Sequence, residues 1–109
     1  MPRYRVIVTG TGMNIPPEGW IGFATTRFVR AGSMAEAAVS AISLVEGAVA
    51  SEPAFSTSDP PELDVDDVFR VWSPFKLSRP NAGFTFVGPG GELADALDIE
   101  RKAGAGWFL

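Results

Sequence analysis

Several arginines lie in segments whose β-branched and aromatic residues are typical of strands: Arg5, Arg27, Arg30 and Arg70. A guanidinium group binds a carboxylate or a phosphate through two parallel hydrogen bonds. If Arg5, Arg27 and Arg70 share one face of a sheet, they form a small anion-binding site. The alternative is a solvated sheet face on which the arginines pair with acidic residues of neighbouring strands. Strand alternation permits both arrangements, because the sequence does not reveal the register.

The segment Gly10-Thr11-Gly12 follows an apolar strand, as the phosphate-binding loops of nucleotide-binding proteins do. Such a loop needs either a third glycine with a helix that starts at once or a Gly-Lys-Ser/Thr sequence. Here Ile15 and two prolines follow instead. We therefore interpret the two glycines as a bend or bulge at a strand end, where glycine relieves strain.

The acidic segment DPPELDVDD could supply oxygen ligands to a hard cation such as Ca²⁺ or Mg²⁺. Its spacing lacks the glycine and the distal glutamate of a calcium-binding loop. Acidic residues at the start of an edge strand also prevent edge-to-edge pairing. We favour that second role and predict no metal site.

The chain has neither histidine nor cysteine. Histidine is the usual general base near neutral pH, and with cysteine it supplies most catalytic pairs and zinc ligands. We therefore assign no catalytic residue and no cofactor.

The net charge of −4 disfavours nonspecific binding to nucleic acid, which depends on phosphate neutralisation. The apolar run behind the first two arginines, Val6-Ile7-Val8, is too short for a signal peptide, and no run approaches the ~20 residues of a membrane span. We expect a cytoplasmic protein that binds neither nucleic acid nor membrane.

The chain ends in three large apolar residues, Trp107, Phe108 and Leu109. Ends of chains usually fray into water, so we expect these side chains to be buried, either in the core of the protomer or against a partner. Trp20, in a segment with proline and glycine, has the same two alternatives. A homodimer is the simplest assembly that would use them.

The pattern of residues predicts strands over 3–12, 21–31, 63–72 and 82–88, with loops between them that include MNIPPEGW, residues 13–20. Phe84 and Phe86 should share one face of the last strand. Between the second and third strands, Ser33 and Glu36 form the pattern of a capping box at the start of a helix. That helix should end near Ala50, with its apolar side formed by Met34, Ala38, Ala41, Ile42, Val45, Ala48 and Val49. A shorter helix is predicted over 92–102.

The order β-β-α-β-β-α in 109 residues predicts a single domain over 1–109 with an α+β fold. We expect a two-layer sandwich in which a four-stranded, mainly antiparallel sheet has the long helix across one face. A ferredoxin-like sheet is one version of it.

The segment GFATTRFVRAGSMAEAAVSAI, preceded by the strand RYRVIVTG, resembles a pattern in small uncharacterised bacterial proteins, a strand with GFxTTRxV followed by a helix. The likeness covers about a third of the chain. It implies a small α+β domain and no particular activity. Two functions follow from the residues: a noncatalytic binding or assembly module, or a binder of small molecules or anions that uses strand arginines and carboxylates.

Overall fold

The computed structural model describes residues 2–15, 19–55, 59–71, 84–88 and 90–105. In chain order these form β1 (Arg3–Ile15), β2 (Gly19–Arg30), α1 (Met34–Ser51), a short 3₁₀ turn (Pro53–Phe55), β3 (Glu62–Val71), β4 (Thr85–Val87) and α2 (Leu93–Ala105). The strands form one sheet in the order β3-β1-β2-β4, and every neighbouring pair is antiparallel. This confirms the α+β sandwich with a four-stranded open sheet and two helices. The ferredoxin-like version stays a hypothesis.

The β1–β2 hairpin is longer than predicted. Met13, Asn14 and Ile15 continue to pair, with Ile21, Trp20 and Gly19 respectively. The predicted loop over residues 13–20 is therefore wrong at both ends. The register shifts between Gly10 and Met13, which confirms the predicted bulge, but the predicted strand end is wrong because pairing continues to Ile15.

Two glycines make this bulge sterically allowed. The backbone of Gly12 has φ +81°, in the left-handed region that other residues seldom adopt. Gly10 lies opposite Phe23, and a Cβ at position 10 would overlap the ring of Phe23. One glycine thus provides the backbone turn, and the other leaves room for a buried ring.

The first face of the sheet carries the main core. Tyr4, Val6 and Val8 of β1 are buried there with Phe23 and Val29 of β2. Helix α1 covers this face with three small or β-branched residues one turn apart, Ala37, Ala41 and Val45. Met34, expected on the apolar side of α1, is instead 56% exposed, because the buried stripe begins at Ala37.

The predicted capping box is present at the start of α1. The backbone N–H of Glu36 donates to Ser33 Oγ at 3.2 Å. The Glu36 carboxylate turns back and accepts from the N–H of Gly32 at 2.9 Å, one residue earlier than in the usual motif. Both contacts satisfy donors around the start of the helix that its own carbonyl groups cannot reach.

The second face of the sheet carries Ile7 and Ala24, both fully buried. Helix α2 approaches from this side. Leu93 lies 3.7 Å from the position that a Cβ of Gly22 would take, and Gly22 faces away from Phe23. Arg101 reaches β3, where it forms ion pairs with Asp66 and Asp67.

By length and a mean hydropathy of 1.3, α1 could also span a membrane. Core helices of soluble proteins and signal sequences share these properties, so this is weak evidence for a membrane span. Here 17% of α1 is buried, on the side that packs against the sheet. The cytoplasmic location stays a prediction.

Candidate functional site

The arginines predicted to bind an anion do not share one face of the sheet. Across the β1–β2 pair, Arg5 lies opposite Phe28, and the neighbouring residue Val6 lies opposite Arg27. Because adjacent residues of a strand face opposite sides, Arg5 is on the second face and Arg27 is on the first. Arg70 lies opposite Tyr4 on the first face and is exposed. Anion binding by any of the three stays a prediction, but they do not form a single cluster.

Arg27 is buried within the main core, only 5% exposed. Its Cζ lies 5.2 Å from the centre of the Phe84 ring. The Phe84 ring in turn stacks on the Phe86 ring, with 5.7 Å between the ring centroids. Burial lowers the pKa of the Arg27 guanidinium from its ordinary value, and the carboxylate of Glu100 acts in the opposite direction. The environment of Arg27 is that of a cation packed into an aromatic core.

The acidic segment is divided between separate roles. Asp66 is the extra residue at a bulge of β3 opposite β1, and it binds Arg101 Nη2 at 2.5 Å. Asp67 binds Nε of the same guanidinium at 3.3 Å. Chiefly because of Asp66, the pKa of Arg101 is raised from its ordinary value. Among the residues described, no group of three or more acidic side chains is arranged to hold a metal ion.

Trp20, the predicted interface residue in the hairpin, is 61% exposed. It pairs with Asn14 near the tip of the hairpin. Trp107, Phe108 and Leu109 lie outside the described residues. Of the four predicted interface residues, only Trp20 can therefore be placed.

The structure also has a groove that the sequence did not reveal, with a volume of about 560 Å³. It lies on the first face, between the C-terminal half of α1 and the chain that enters β3. Its lining is mostly apolar, formed by Met13, Ile42, Val49, Ala50, Phe55, Pro60, Pro61 and Leu63. A volume of roughly 300–1,000 Å³ with apolar walls is typical of small-molecule sites. We call it the α1 groove.

Two acidic residues are part of the lining of the α1 groove. Glu46 comes from the exposed side of α1 and Asp59 from the segment before β3, and both residues are exposed. The groove also adjoins the last turn of α1 at Val49 and Ala50, and the C-terminal end of a helix carries a partial negative charge. The last turn of α1 contains no basic residue to offset it. The α1 groove therefore combines an apolar interior with a negative rim.

A sequence signal for the groove exists, but it is indirect. Glu46 lies on the predicted polar side of α1, and Asp59-Pro60-Pro61 has the composition of an exposed connection. Neither observation says that these residues line one groove. They do so because the chain returns beside α1 before entering β3.

Comparison of the chain with models of protein families, with curated proteins and with solved structures gives no match. The geometry of the α1 groove and of the charged side chains is therefore the basis for any functional assignment.

Proposed function

We propose that this chain is a noncatalytic binding protein whose α1 groove holds a small molecule with an apolar body and a cationic group. One observation carries the proposal: a mostly apolar groove of about 560 Å³ whose lining includes the exposed acidic residues Glu46 and Asp59. Apolar walls bind through the area they remove from water, and a few polar groups at the edge orient the ligand. A negative rim beside a helix C-terminus favours a cation over an anion.

The noncatalytic part of the proposal rests on composition. With no histidine and no cysteine, the chain lacks the side chains that most often transfer protons or attack substrates near neutral pH. A carboxylate that acts as a general acid near neutral pH is usually buried in an apolar environment. Glu46 and Asp59 are exposed residues, which suits them better to attract a cation than to act as an acid.

The test compares three probes with the same phenyl body: 2-phenylethylamine, 2-phenylethanol and 3-phenylpropionate. Affinities are measured by calorimetry or by perturbation of amide resonances, at one ionic strength. We expect the amine to bind about two- to fivefold more tightly than the alcohol, because exposed charge pairs contribute little. The carboxylate should bind most weakly. Equal affinity for the amine and the carboxylate, or binding of none of the three, would refute the proposal.

Two variants locate the binding. Glu46→Gln should remove most of the preference for the amine while leaving the affinity for the alcohol unchanged. Its matched control is Glu62→Gln, because Glu62 is exposed and precedes Leu63 of the groove but faces the other side of β3. Ala50→Trp should fill the groove and weaken all three probes, since Ala50 lines it and is exposed.

A second candidate function is assembly into a homodimer. The supporting observation is Trp20, a large aromatic side chain that is 61% exposed and for which the sequence left open burial in the core or against a partner. Tryptophan is among the residues most enriched at interface hot spots. Light scattering on the wild type and on Trp20→Ser tests this: a dimer that becomes a monomer in the variant supports assembly, and a monomeric wild type contradicts it.

A further inference from the structure

A second group of charged side chains lies at the end of the sheet away from the α1 groove. Arg3 of β1 is directly opposite Arg30 of β2. Arg5 lies two residues further along β1, so its side chain emerges on the same face as that of Arg3. This is the second face of the sheet, away from α1. The register thus brings together an arginine trio, Arg3, Arg5 and Arg30, that differs from the set expected from the sequence.

The pairing of Arg3 with Arg30 needs a physical explanation. Like charges directly opposite each other on neighbouring strands destabilise a sheet. Moreover, Arg3 Nε is shielded from solvent and has no hydrogen-bond acceptor among the residues that the structure describes. A shielded donor without an acceptor is costly, more so on a charged group. An anion between the two side chains would remove both penalties.

Arg5 is placed to contribute to the same site. It is only 6% exposed, and its Cζ lies 4.6 Å from the centre of the Phe69 ring. Phe28 and Phe69 are its neighbours in the register, one on each adjacent strand. Packing a guanidinium against an aromatic ring restricts its orientation. Arg5 is therefore held in position before any anion arrives.

We propose that the arginine trio binds a phosphate group on the second face of the sheet. Opposed residues of an antiparallel pair have Cα atoms about 4.5–5.5 Å apart, and alternate residues of a strand lie about 7 Å apart. Three guanidinium groups on that footprint can surround a single tetrahedral oxyanion. Phosphate is favoured over a carboxylate because it carries more charge and more acceptor oxygens for three forked donors. The phosphate belongs either to free inorganic phosphate or to a small phosphomonoester.

The experiment measures the midpoint of thermal unfolding, Tm, with inorganic phosphate, with glycerol phosphate and with sodium chloride at matched ionic strength. In the wild type we expect both phosphates to raise Tm by several degrees more than the chloride. A larger rise with glycerol phosphate identifies an organic phosphate as the ligand class, and an equal rise identifies the free ion. No phosphate-specific rise with either compound would overturn the proposal.

The variants Arg3→Gln and Arg30→Gln should each lose the phosphate-specific rise. Arg70→Gln should keep it, because Arg70 lies at the same end of the sheet but on the first face. Without phosphate and at low salt, removing one member of the opposed pair should raise Tm by roughly 2–4 °C. Loss of the phosphate effect in Arg70→Gln as well, or its persistence in Arg3→Gln and Arg30→Gln, would refute this location.

Discussion

The contact between Gly10 and Phe23 gives a quantitative test of how the hairpin packs. The two residues are opposite each other, and the fully buried Phe23 ring covers the backbone of Gly10. An alanine Cβ at position 10 would overlap two ring atoms and lie 3.0 Å from Cε1 of the same ring. The Phe23 ring has little room to move, because it packs edge-to-face against two other rings. The distance between ring centroids is 5.0 Å to Phe84 and 6.1 Å to Phe86.

The size of the effect follows from two opposing terms. Forcing an extra methyl group into a packed core costs about 1–3 kcal/mol. Replacing glycine by alanine in a strand recovers about 0.5–1 kcal/mol of backbone entropy, and φ at Gly10 is not in the left-handed region. We therefore expect Gly10→Ala to lower the free energy of unfolding by about 1–2 kcal/mol. For a domain of this size, Tm should fall by roughly 5–10 °C.

Urea unfolding followed by circular dichroism measures the change, and a double-mutant cycle assigns it to the ring. Phe23→Leu removes part of the ring's volume and should itself be destabilising. In that background Gly10→Ala should cost much less, because the methyl group occupies space that the ring has vacated. The coupling energy should be about 1 kcal/mol. If Gly10→Ala is as stable as the wild type, the close contact between Gly10 and the Phe23 ring is refuted. The same holds if the losses in free energy of unfolding of the two single variants simply add in the double variant.

Two further substitutions test α1. Gly47→Ala should raise the free energy of unfolding by about 0.5–1 kcal/mol, because Gly47 is exposed and the added methyl group would meet no atom within 4 Å beyond its chain neighbours and the backbone of its own helix. A loss of stability in urea unfolding would contradict this. Ser33→Ala should lower the free energy of unfolding by about 0.5–2 kcal/mol, because it removes the acceptor of the hydrogen bond from the Glu36 N–H. Ser33→Asp is the control, since it retains an acceptor. Equal stability of Ser33→Ala and wild type would show that the cap contributes nothing.

The elements that the sequence predicts well are those specified by local chemistry. The start of α1 follows from the spacing of Ser33 and Glu36, and the existence of β3 follows from its β-branched and aromatic residues. The extent of the hairpin cannot be predicted in this way, because the glycines and prolines after Val8 give that segment the composition of a loop. A bulge lets pairing continue through them, and only the partner strand reveals that.

The same limit applies to the charged sites. A shift of one residue in register moves a side chain to the other face of a sheet, so the sequence cannot say which arginines meet. Arg5 joins Arg3 and Arg30 and is separated from Arg27 by the plane of the sheet. The α1 groove is likewise nonlocal, since Glu46 and Asp59 belong to different elements. Residue types indicated the classes of chemistry, and the register and chain path decided where each could occur.

The two proposed sites should act independently. The groove adjoins Leu63, which pairs with Gly10, whereas Arg3 pairs with Val71 at the far end of the same strands, about 25 Å away. The sites lie on opposite faces, and the Debye length at physiological salt is only about 8 Å. The stabilisation by saturating 2-phenylethylamine and that by saturating phosphate should therefore add within about 0.5 kcal/mol when both are present.

Thermal unfolding with each compound alone and with both together measures this additivity. Arg3→Gln is the control, because it should lose the phosphate increment and keep the amine increment unchanged. A combined effect no larger than that of one compound would mean that both occupy one site, and a loss of both increments in Arg3→Gln would mean that the two ends of the sheet are coupled. Either result would contradict the proposal of a cation-binding groove on one face and an anion-binding trio on the other. The strand register places the two groups of residues on opposite faces.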